Sequence, residues 1–508
     1  MKKLITILII TYTLIFIPNC GIKRQAKFIS DFPNVEKMEF SKDFLMGTST
    51  AAEQMEETPN SDWGKFIQSA YTNKRFDSDG KGVAKPGHIH NLGNYSPEII
   101  LKKTNHNQMY DEDFKMASEM KHNAYRFSVA WDRIFPRADM TEPDPEGVEY
   151  YRKLIQSMKK NNLKPLLTLF HFSSPAWFWE EKDGKIGWER ADALQQYEKF
   201  VRVVVQNYGA DVDHWCTLNE PMVFIFGGYM QGVFPPLLQR KDPSEISDVM
   251  IALLKSHVLA RNIIKENDAK LGKKSEVGFT MHTRAFEPYR NYAVLDRIIA
   301  EKVEQAFVWD FIEAINTGTL KVSNTNVVEN IEGIKNSLDY LGINYYGRYY
   351  IKSDITSPTQ FQTLFSDPNN KDELKNDLDW EAYPLGMSYI LTKATEKYKL
   401  PIYILESGTA DASDNDIKRQ ANIVTILAEI WNVNNSKKAD VRGYIHWSLI
   451  DNFEWAEGFE AKFGLVKVDY KNNYKRTPRP SAELFTKIIE NGITKEILEK
   501  YSQDFISK

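Results

Sequence analysis

Eight short apolar runs, each rich in β-forming residues, recur along the chain with helical patterns between them. The runs cover residues 44–49, 124–131, 164–172, 213–221, 276–282, 338–346, 401–408 and 441–449. Nearly continuous apolar character is typical of strands that are buried on both faces of a parallel sheet. Between two runs, one helical face carries Leu194, Tyr197, Val201, Val204 and Tyr208, and Gly209 supplies a stop. Eight strands alternating with helices predict an α/β fold, a single closed (β/α)8 barrel.

The alternative is an open doubly wound sheet, which would carry a Gly-rich phosphate loop after its first strand. Gly47-Thr48-Ser49-Thr50 lacks that spacing. One barrel with long loops can absorb most of the 508 residues. We therefore assign 38–490 to the barrel and 491–508 to a C-terminal helical extension, and we expect long loops near 58–108 and 351–379.

The N-terminal segment has the pattern of an export signal. Lys2 and Lys3 precede an apolar run over 4–17, which is shorter than the ~20 residues of a membrane-spanning helix. Cys20 follows directly, as at a bacterial lipoprotein cleavage site. We predict a signal peptide over 1–19, acylation of Cys20 and a tether over 20–37. The expected product is an exported bacterial lipoprotein, held on a membrane and facing the periplasm or the cell exterior.

The composition of the chain limits the classes of partner and ligand that it is expected to bind. The chain has 65 Lys and Arg residues against 69 Asp and Glu residues, which gives a net charge of −4. It therefore lacks the excess of basic residues that is typical of nucleic-acid-binding proteins. The other cysteine, Cys216, lies in an apolar run and is expected to be a buried thiol. His88 and His90 lie in a polar loop without further ligands nearby in sequence, and the prediction is no metal and no cofactor.

Polar residues gather where the predicted strands end, which is where barrel enzymes place their chemistry. In chain order they are Gln54, Arg126, His171, Asn219-Glu220, His282, Asn344-Tyr345-Tyr346, Glu406-Ser407, His446-Trp447 and 451–455. A glycosidic bond needs one carboxylic acid for the leaving oxygen and one carboxylate for the anomeric carbon. Glu220 and Glu406 satisfy that need, and Arg126 can stabilise an ionised partner. The alternative is a purely structural polar network in the barrel mouth.

Several ordered motifs carry a family resemblance from about residue 38 to 485. They are FLMGTSTAAEQMEE, YRFSVAWDRIFP, LFHFSSP, WCTLNEP, GINYYG, WEAYPLG, YILESG and HWSLIDNFEWAEGF. The sequence resembles glycoside hydrolase family 1, the β-glucosidase and β-galactosidase family, which has a (β/α)8 barrel. WCTLNEP and WSLIDNFEWAEG are the most specific of these motifs.

The resemblance implies a role for each matching residue. Glu220 corresponds to the general acid/base and Glu406 to the nucleophile. Arg126 and Tyr346 correspond to groups that hold and tune the nucleophile, and Asn219 to a contact with the sugar 2-hydroxyl. The remaining contacts to the glycone, the sugar whose bond is cleaved, would be Gln54, His171, Trp447, Glu454, Trp455 and, at the edge, Phe463.

The sequence departs from the family pattern at two positions beside these residues, and the segment AAEQMEETPNSDW, beside Gln54, is also looser than the usual pattern. Ser407 follows the nucleophile where the family has Asn, and Phe172 follows His171 where the family has Trp. At Glu454 the sequence resembles the family members that act on non-phosphorylated sugars, and a carboxylate at this position would repel a phosphate.

The implied reaction is retaining hydrolysis of terminal, non-phosphorylated β-D-glucosides or galactosides by double displacement, with the carboxylates ~5–5.5 Å apart. Two alternatives stay open. One is a transglycosylase that uses the same glycosyl-enzyme, and the other is a non-catalytic, surface-tethered glycan-binding lipoprotein. A pure binder would not need both Glu220 and Glu406.

Overall fold

Eight parallel strands close on themselves at the centre of the structure, a computed structural model that describes residues 30, 32, 35–77, 84–354, 356, 361–368 and 374–506. We number them β1 to β8: Leu45–Ser49, Ala124–Ser128, Lys164–Phe170, His214–Asn219, Glu276–Pro288, Leu341–Ser353, Ile402–Ser407 and Val441–Trp447. Each strand pairs with the next, and β8 pairs with β1. This closed pairing confirms the (β/α)8 barrel and excludes the open doubly wound sheet.

Helices surround the barrel and return the chain from one strand to the next. We number the main ones α1 to α8: His106–Glu119, Pro145–Lys160, Ala193–Tyr208, Ser247–Leu271, Asp310–Thr317, Leu385–Tyr398, Ile417–Asn435 and Pro480–Asn491. Helix α2 begins at Pro145 because the Asp144 side chain accepts from the backbone N–H groups of residues 146 and 147. The predicted apolar face of α3 is confirmed, because Tyr197, Val201, Val204 and Tyr208 are buried. Gly209 caps the helix.

The lower part of the barrel interior is filled with apolar side chains. They form one buried cluster of Leu45, Ala124, Leu166, Cys216, Tyr340, Tyr403, Leu405 and Ile445. Cys216 is a free, buried thiol, as expected, and burial raises its pKa. Because this layer closes one end, the polar strand ends can open to solvent only at the other end.

Two segments expected to be loops contain regular structure. The first, 58–108, holds helices Asp62–Thr72 and Pro97–Lys102, whose N-terminal N–H groups are capped by the side chains of Ser61 and Ser96. The second begins inside β6, whose far end pairs with an antiparallel strand, Phe361–Leu364. The sequence could have predicted these elements from the serine that precedes each helix and from the β-forming residues that follow the sixth apolar run.

Smaller elements complete the fold. In the described part of the chain, three two-stranded sheets pair Lys37–Met38 with Ile493–Thr494, Thr319–Lys321 with Val328–Asn330, and Val466–Asp469 with Lys475–Pro478. Helices Ala52–Met55, Trp131–Ile134, Pro221–Ile225 and Val294–Glu304 follow strand ends. The last helix, Lys495–Ile506, lies against α7, where the Tyr501 hydroxyl donates to Gln420 Oε1 over 2.7 Å.

The predicted export segment falls outside what can be described. The signal peptide 1–19 and Cys20 lie outside the described residues, and so does most of the tether 20–37. Within the described part of the chain, no helix is both long and apolar enough to cross a membrane.

Candidate active site

The strand register brings the predicted site residues to one end of the barrel. Asn344 on β6 lies opposite His282 on β5 and also opposite Glu406 on β7. On the other side of the barrel, Ser49 of β1 lies between Arg126 of β2 and Trp447 of β8. Parallel strands present their carboxyl ends on one face, so residues far apart in sequence meet there.

Arg126 is the hub of this polar cluster. It is fully buried, and its Nη1 donates to Glu406 Oε1 over 2.5 Å while its Nη2 donates to Asn219 Oδ1 over 2.6 Å. Its Nε donates to Thr168 Oγ1 over 3.0 Å. The planar guanidinium thereby fixes the positions of three side chains from three different strands.

Two donors contact the Glu406 carboxyl group, one on each oxygen, and both favour its ionised form. Arg126 bonds Oε1, and the Tyr346 hydroxyl donates to Oε2 over 2.8 Å. Burial raises the pKa of Glu406 to about 7, while the charge of Arg126 opposes that rise and the negative charge of Glu220 adds to it. A proton on Glu220 therefore favours ionisation of Glu406.

Glu220 has a different set of neighbours. Its Oε1 accepts from Asn344 Nδ2 over 2.7 Å and lies 3.1 Å from His282 Nδ1. The backbone of Glu220 has φ 42° and ψ 60°, a left-handed conformation at the junction of β4 and the helix that begins at Pro221. Non-glycine residues seldom adopt this conformation, and it is enriched at functional sites.

His171 Nδ1 and Gln54 Oε1 are among the buried polar atoms near this pair that have no hydrogen-bond partner among the described residues. Asn219 Nδ2 bonds His171 Nε2 over 3.1 Å, so the His171 proton is on Nδ1, and that atom is unpartnered. Burial and the charge of Arg126 hold the pKa of His171 well below its usual range, so the ring is neutral. Gln54 Oε1 is also unpartnered. A donor and an acceptor of this kind suit a ligand hydroxyl.

Glu454 faces the same region and is part-buried. Its Oε2 accepts from Gln54 Nε2 and from Trp447 Nε1, each over 3.2 Å. Removal from water raises the pKa of Glu454 to about 8, and these hydrogen bonds oppose the rise. Below that pH a neutral carboxyl group can donate as well as accept.

Aromatic rings surround these polar groups. Trp455 stacks on the His171 ring at 5.9 Å between centroids, and Phe172 packs against Trp455 at 5.2 Å. Phe463 meets the Tyr346 ring edge-on at 6.3 Å. Phe172 therefore provides an apolar wall where an indole N–H was expected in the family.

Ser407 does not replace the missing amide. Its Oγ is buried and makes no hydrogen bond within the described part of the chain. The support of Glu406 comes instead from Arg126 and Tyr346.

Three contributing residues were not assigned a role from sequence. Asn344 and His282 were noted only as strand ends, yet both contact Glu220. Arg284 lies two residues beyond His282 and therefore on the same face of β5. Strand alternation was the signal that could have identified Arg284.

The comparisons with known proteins agree with this geometry. Residues 36–493 match the family model described as Glycosyl hydrolase family 1. The chain belongs to glycosyl hydrolase family 1. The resemblance drawn from the motifs is confirmed, and the chain is an O-glycosyl hydrolase of the β-glucosidase type.

Individual relatives are similar over nearly their whole length. β-Glucosidase 13 of Arabidopsis thaliana is 30% identical over 506 residues, which cover 91% of this chain and 95% of that protein. The structure of a β-glycosidase from Pyrococcus horikoshii has a TM-score of 0.77 and 30% identity, covering 92% of this chain and 98% of that chain. A rice β-glucosidase mutant in a covalent complex with Glc has a TM-score of 0.76 and 25% identity, covering 88% and 98%.

Tyr346→Phe removes one of the two donors to Glu406 and should raise the pKa of that carboxyl further. A carboxylate reactant is available only above its pKa, so the acidic limb of kcat/KM should move to higher pH, by about half a unit or more. The measurement is a pH profile on an aryl β-glucoside. Tyr345→Phe is the matched control, because the Tyr345 hydroxyl donates to the Tyr383 carbonyl instead. Equal shifts in both variants would contradict the assignment.

Proposed function

We propose that the protein is a retaining β-glycosidase that hydrolyses terminal, non-phosphorylated β-D-glucosides or galactosides. The observation that carries this proposal is the pair of buried carboxylates with unlike donors. Glu406 is bonded by Arg126 and Tyr346, whereas Glu220 is bonded by Asn344 and lies beside His282. Unlike environments are how one fold assigns separate roles to two carboxyl groups.

In the first step, Glu406 attacks the anomeric carbon while the bond to the leaving oxygen breaks. Glu220 gives its proton to that oxygen, and a covalent glycosyl-enzyme ester forms on Glu406. Arg126 and Tyr346 keep the attacking group ionised and oriented until the bond is made.

In the second step, Glu220 is a carboxylate and takes a proton from water. The water oxygen attacks the anomeric carbon, the ester bond breaks and Glu406 is released as a carboxylate. Two inversions at one carbon give net retention. The covalent Glc complex of the rice relative supports the same intermediate here.

The glycone contacts proposed are Gln54, His171, Asn219, Trp447, Glu454 and Trp455, with Phe463 at the edge of the site. The unpartnered His171 Nδ1 and Gln54 Oε1 support binding of a polyhydroxylated ring. Among the described residues, no Lys or Arg forms an ion pair with Glu454, which supports a glycone without a phosphate. That argument holds whether Glu454 is ionised or neutral.

The two glutamates are distinguished by nucleophile rescue. Glu406→Gly should abolish turnover on every glycoside, and azide should restore it with the inverted α-glycosyl azide as product. Glu220→Ala should lose most activity on poor leaving groups, and on activated aryl glycosides azide should speed the second step and give the β product. Product configuration by NMR is the measurement.

A β product from Glu406→Gly, or an α product from Glu220→Ala, would reverse the two roles. Wild-type products in the presence of an added sugar or alcohol separate hydrolysis from transfer: free sugar supports the hydrolase, and predominant new glycosides identify a transglycosylase.

Glu454→Ala should discriminate between sugars. Removing a partner from a site that binds a hydroxyl leaves buried polar groups unpaired, so glucosides and galactosides should lose about tenfold or more in kcat/KM. The kcat/KM for 6-deoxy analogues, which lack the 6-hydroxyl, should fall less. Glu457→Ala is the control, since Glu457 bonds His90 instead. Equal losses on both sugar sets would count against the contact.

We also propose that Cys20 is acylated and anchors the exported protein to a membrane. The basis is the placement of Cys20 directly after a short apolar run that follows two lysines. Cys20→Ala should abolish acyl labelling and shift the protein out of the detergent phase, whereas Cys216→Ala should not. One acyl chain binds weakly, so multiple acylation is expected. Labelling of Cys20→Ala at the wild-type level would refute the anchor.

A further inference from the structure

Arg284, on β5, is a buried cation. It is 0% exposed, and no Asp or Glu in the described part of the chain forms an ion pair with it. Its guanidinium lies against the rings of Trp380 and Tyr349, at 4.3 and 4.5 Å from their centroids. Burying an unpaired charge is unfavourable, and such costs concentrate at functional sites.

The hydrogen bonds of Arg284 determine where the proton of His282 is. Arg284 Nη1 donates to the Tyr346 carbonyl over 2.6 Å, and Arg284 Nε donates to His282 Nε2 over 3.3 Å. A guanidinium cannot accept, so His282 Nε2 must be the acceptor and the imidazole proton must be on Nδ1. His282 Nδ1 then donates to Glu220 Oε1.

Glu220 therefore receives two donors on the same oxygen. Asn344 Nδ2 and His282 Nδ1 both bond Oε1, and a transferable proton belongs on Oε2. The charged and titratable groups that face Glu220 are His282, Arg284, Tyr346, Tyr349 and Glu406. Arg284 provides the positive charge in this set, and it acts through the His282 ring.

We propose that Arg284 and His282 are positioning residues for the acid/base Glu220. Arg284 fixes the His282 proton on Nδ1, and His282 holds Oε1 so that the acidic proton points from Oε2 toward the leaving oxygen. The positive charge of Arg284 also interacts favourably with the negative charge that Glu220 gains when its proton leaves. This inference rests on the proposed acid/base role of Glu220.

Two substitutions of His282 separate its two nitrogens. His282→Asn retains an amide N–H near the Nδ1 position and loses the acceptor for Arg284. His282→Gln retains an acceptor near the Nε2 position and loses the donor to Glu220. The readout is the basic limb of kcat/KM on aryl β-glucosides, where the acid loses its proton.

We expect the basic limb to move to higher pH by about half a unit or more in Arg284→Met and in His282→Gln. His282→Asn and Arg284→Lys should stay closer to the wild type. Alkyl glucosides, which need protonation of the leaving group, should lose more kcat than activated aryl glucosides in the shifted variants.

Thermal denaturation tests whether Arg284 is merely structural. Arg284→Met removes the donor to the Tyr346 carbonyl and to His282 Nε2 but leaves no carboxylate unpaired, so it should lower Tm less than Arg348→Met, which removes the ion-pair partner of Glu381 and Glu287. A lowered Tm in Arg284→Met with an unmoved basic limb would overturn the proposal, as would identical pH profiles for His282→Asn and His282→Gln.

The role of Glu220 is tested separately. If Glu220→Ala retains activity on alkyl glucosides, the acid/base assignment itself is wrong, whatever the Arg284 and His282 variants do. If Glu220→Ala behaves as an acid/base variant and the basic limbs of the pH profiles of Arg284→Met and His282→Gln do not move, only the positioning role of Arg284 and His282 is wrong.

Discussion

The arrangement of the site depends on the hydrogen bonds that the Arg126 guanidinium donates. One buried guanidinium bonds Glu406 from β7, Asn219 from β4 and Thr168 from β3. Removing one partner from such a buried pair costs ~3–5 kcal/mol, because the remaining charge cannot return to water. Arg126 therefore holds Glu406, the proposed nucleophile, and also fixes the amide that bonds His171. The charge, the geometry and part of the sugar site share one group.

The two carboxylates differ through the protein's hydrogen-bond donors rather than through their own chemistry. Glu406 has a charged donor on one oxygen and a phenol on the other. Glu220 has an amide and an imidazole on a single oxygen, which leaves the second oxygen available for proton transfer. Because each negative charge opposes the other, one proton shared by the pair is favoured. This asymmetry is the physical basis for assigning an acid and a nucleophile within one site.

The departures from the family pattern change the surroundings of the site rather than its centre. Phe172 packs on Trp455 and replaces a potential donor with an apolar wall. Ser407 leaves a buried hydroxyl without a partner in the described part of the chain, so it adds nothing to the support of Glu406. The contacts of Arg126 and Tyr346 to Glu406 are present in spite of both changes.

The sequence by itself predicted the barrel, which the structure confirms, and singled out Glu220 and Glu406 as the candidate catalytic pair, because strand and helix periodicity and short motifs are local properties of the chain. It also placed Gln54, Arg126, His171 and Trp447 at strand ends. It did not determine which donors meet which acceptors. Arg126 and Glu406 are 280 residues apart, and Asn344 and Glu220 are 124 apart. Only the register of the closed sheet brings such residues together, and only the tertiary structure shows that Arg284 forms no ion pair with a carboxylate among the described residues. The tautomer of His282 and the raised pKa values of Glu406 and Glu454 follow from those contacts, so the tertiary structure alone decided them.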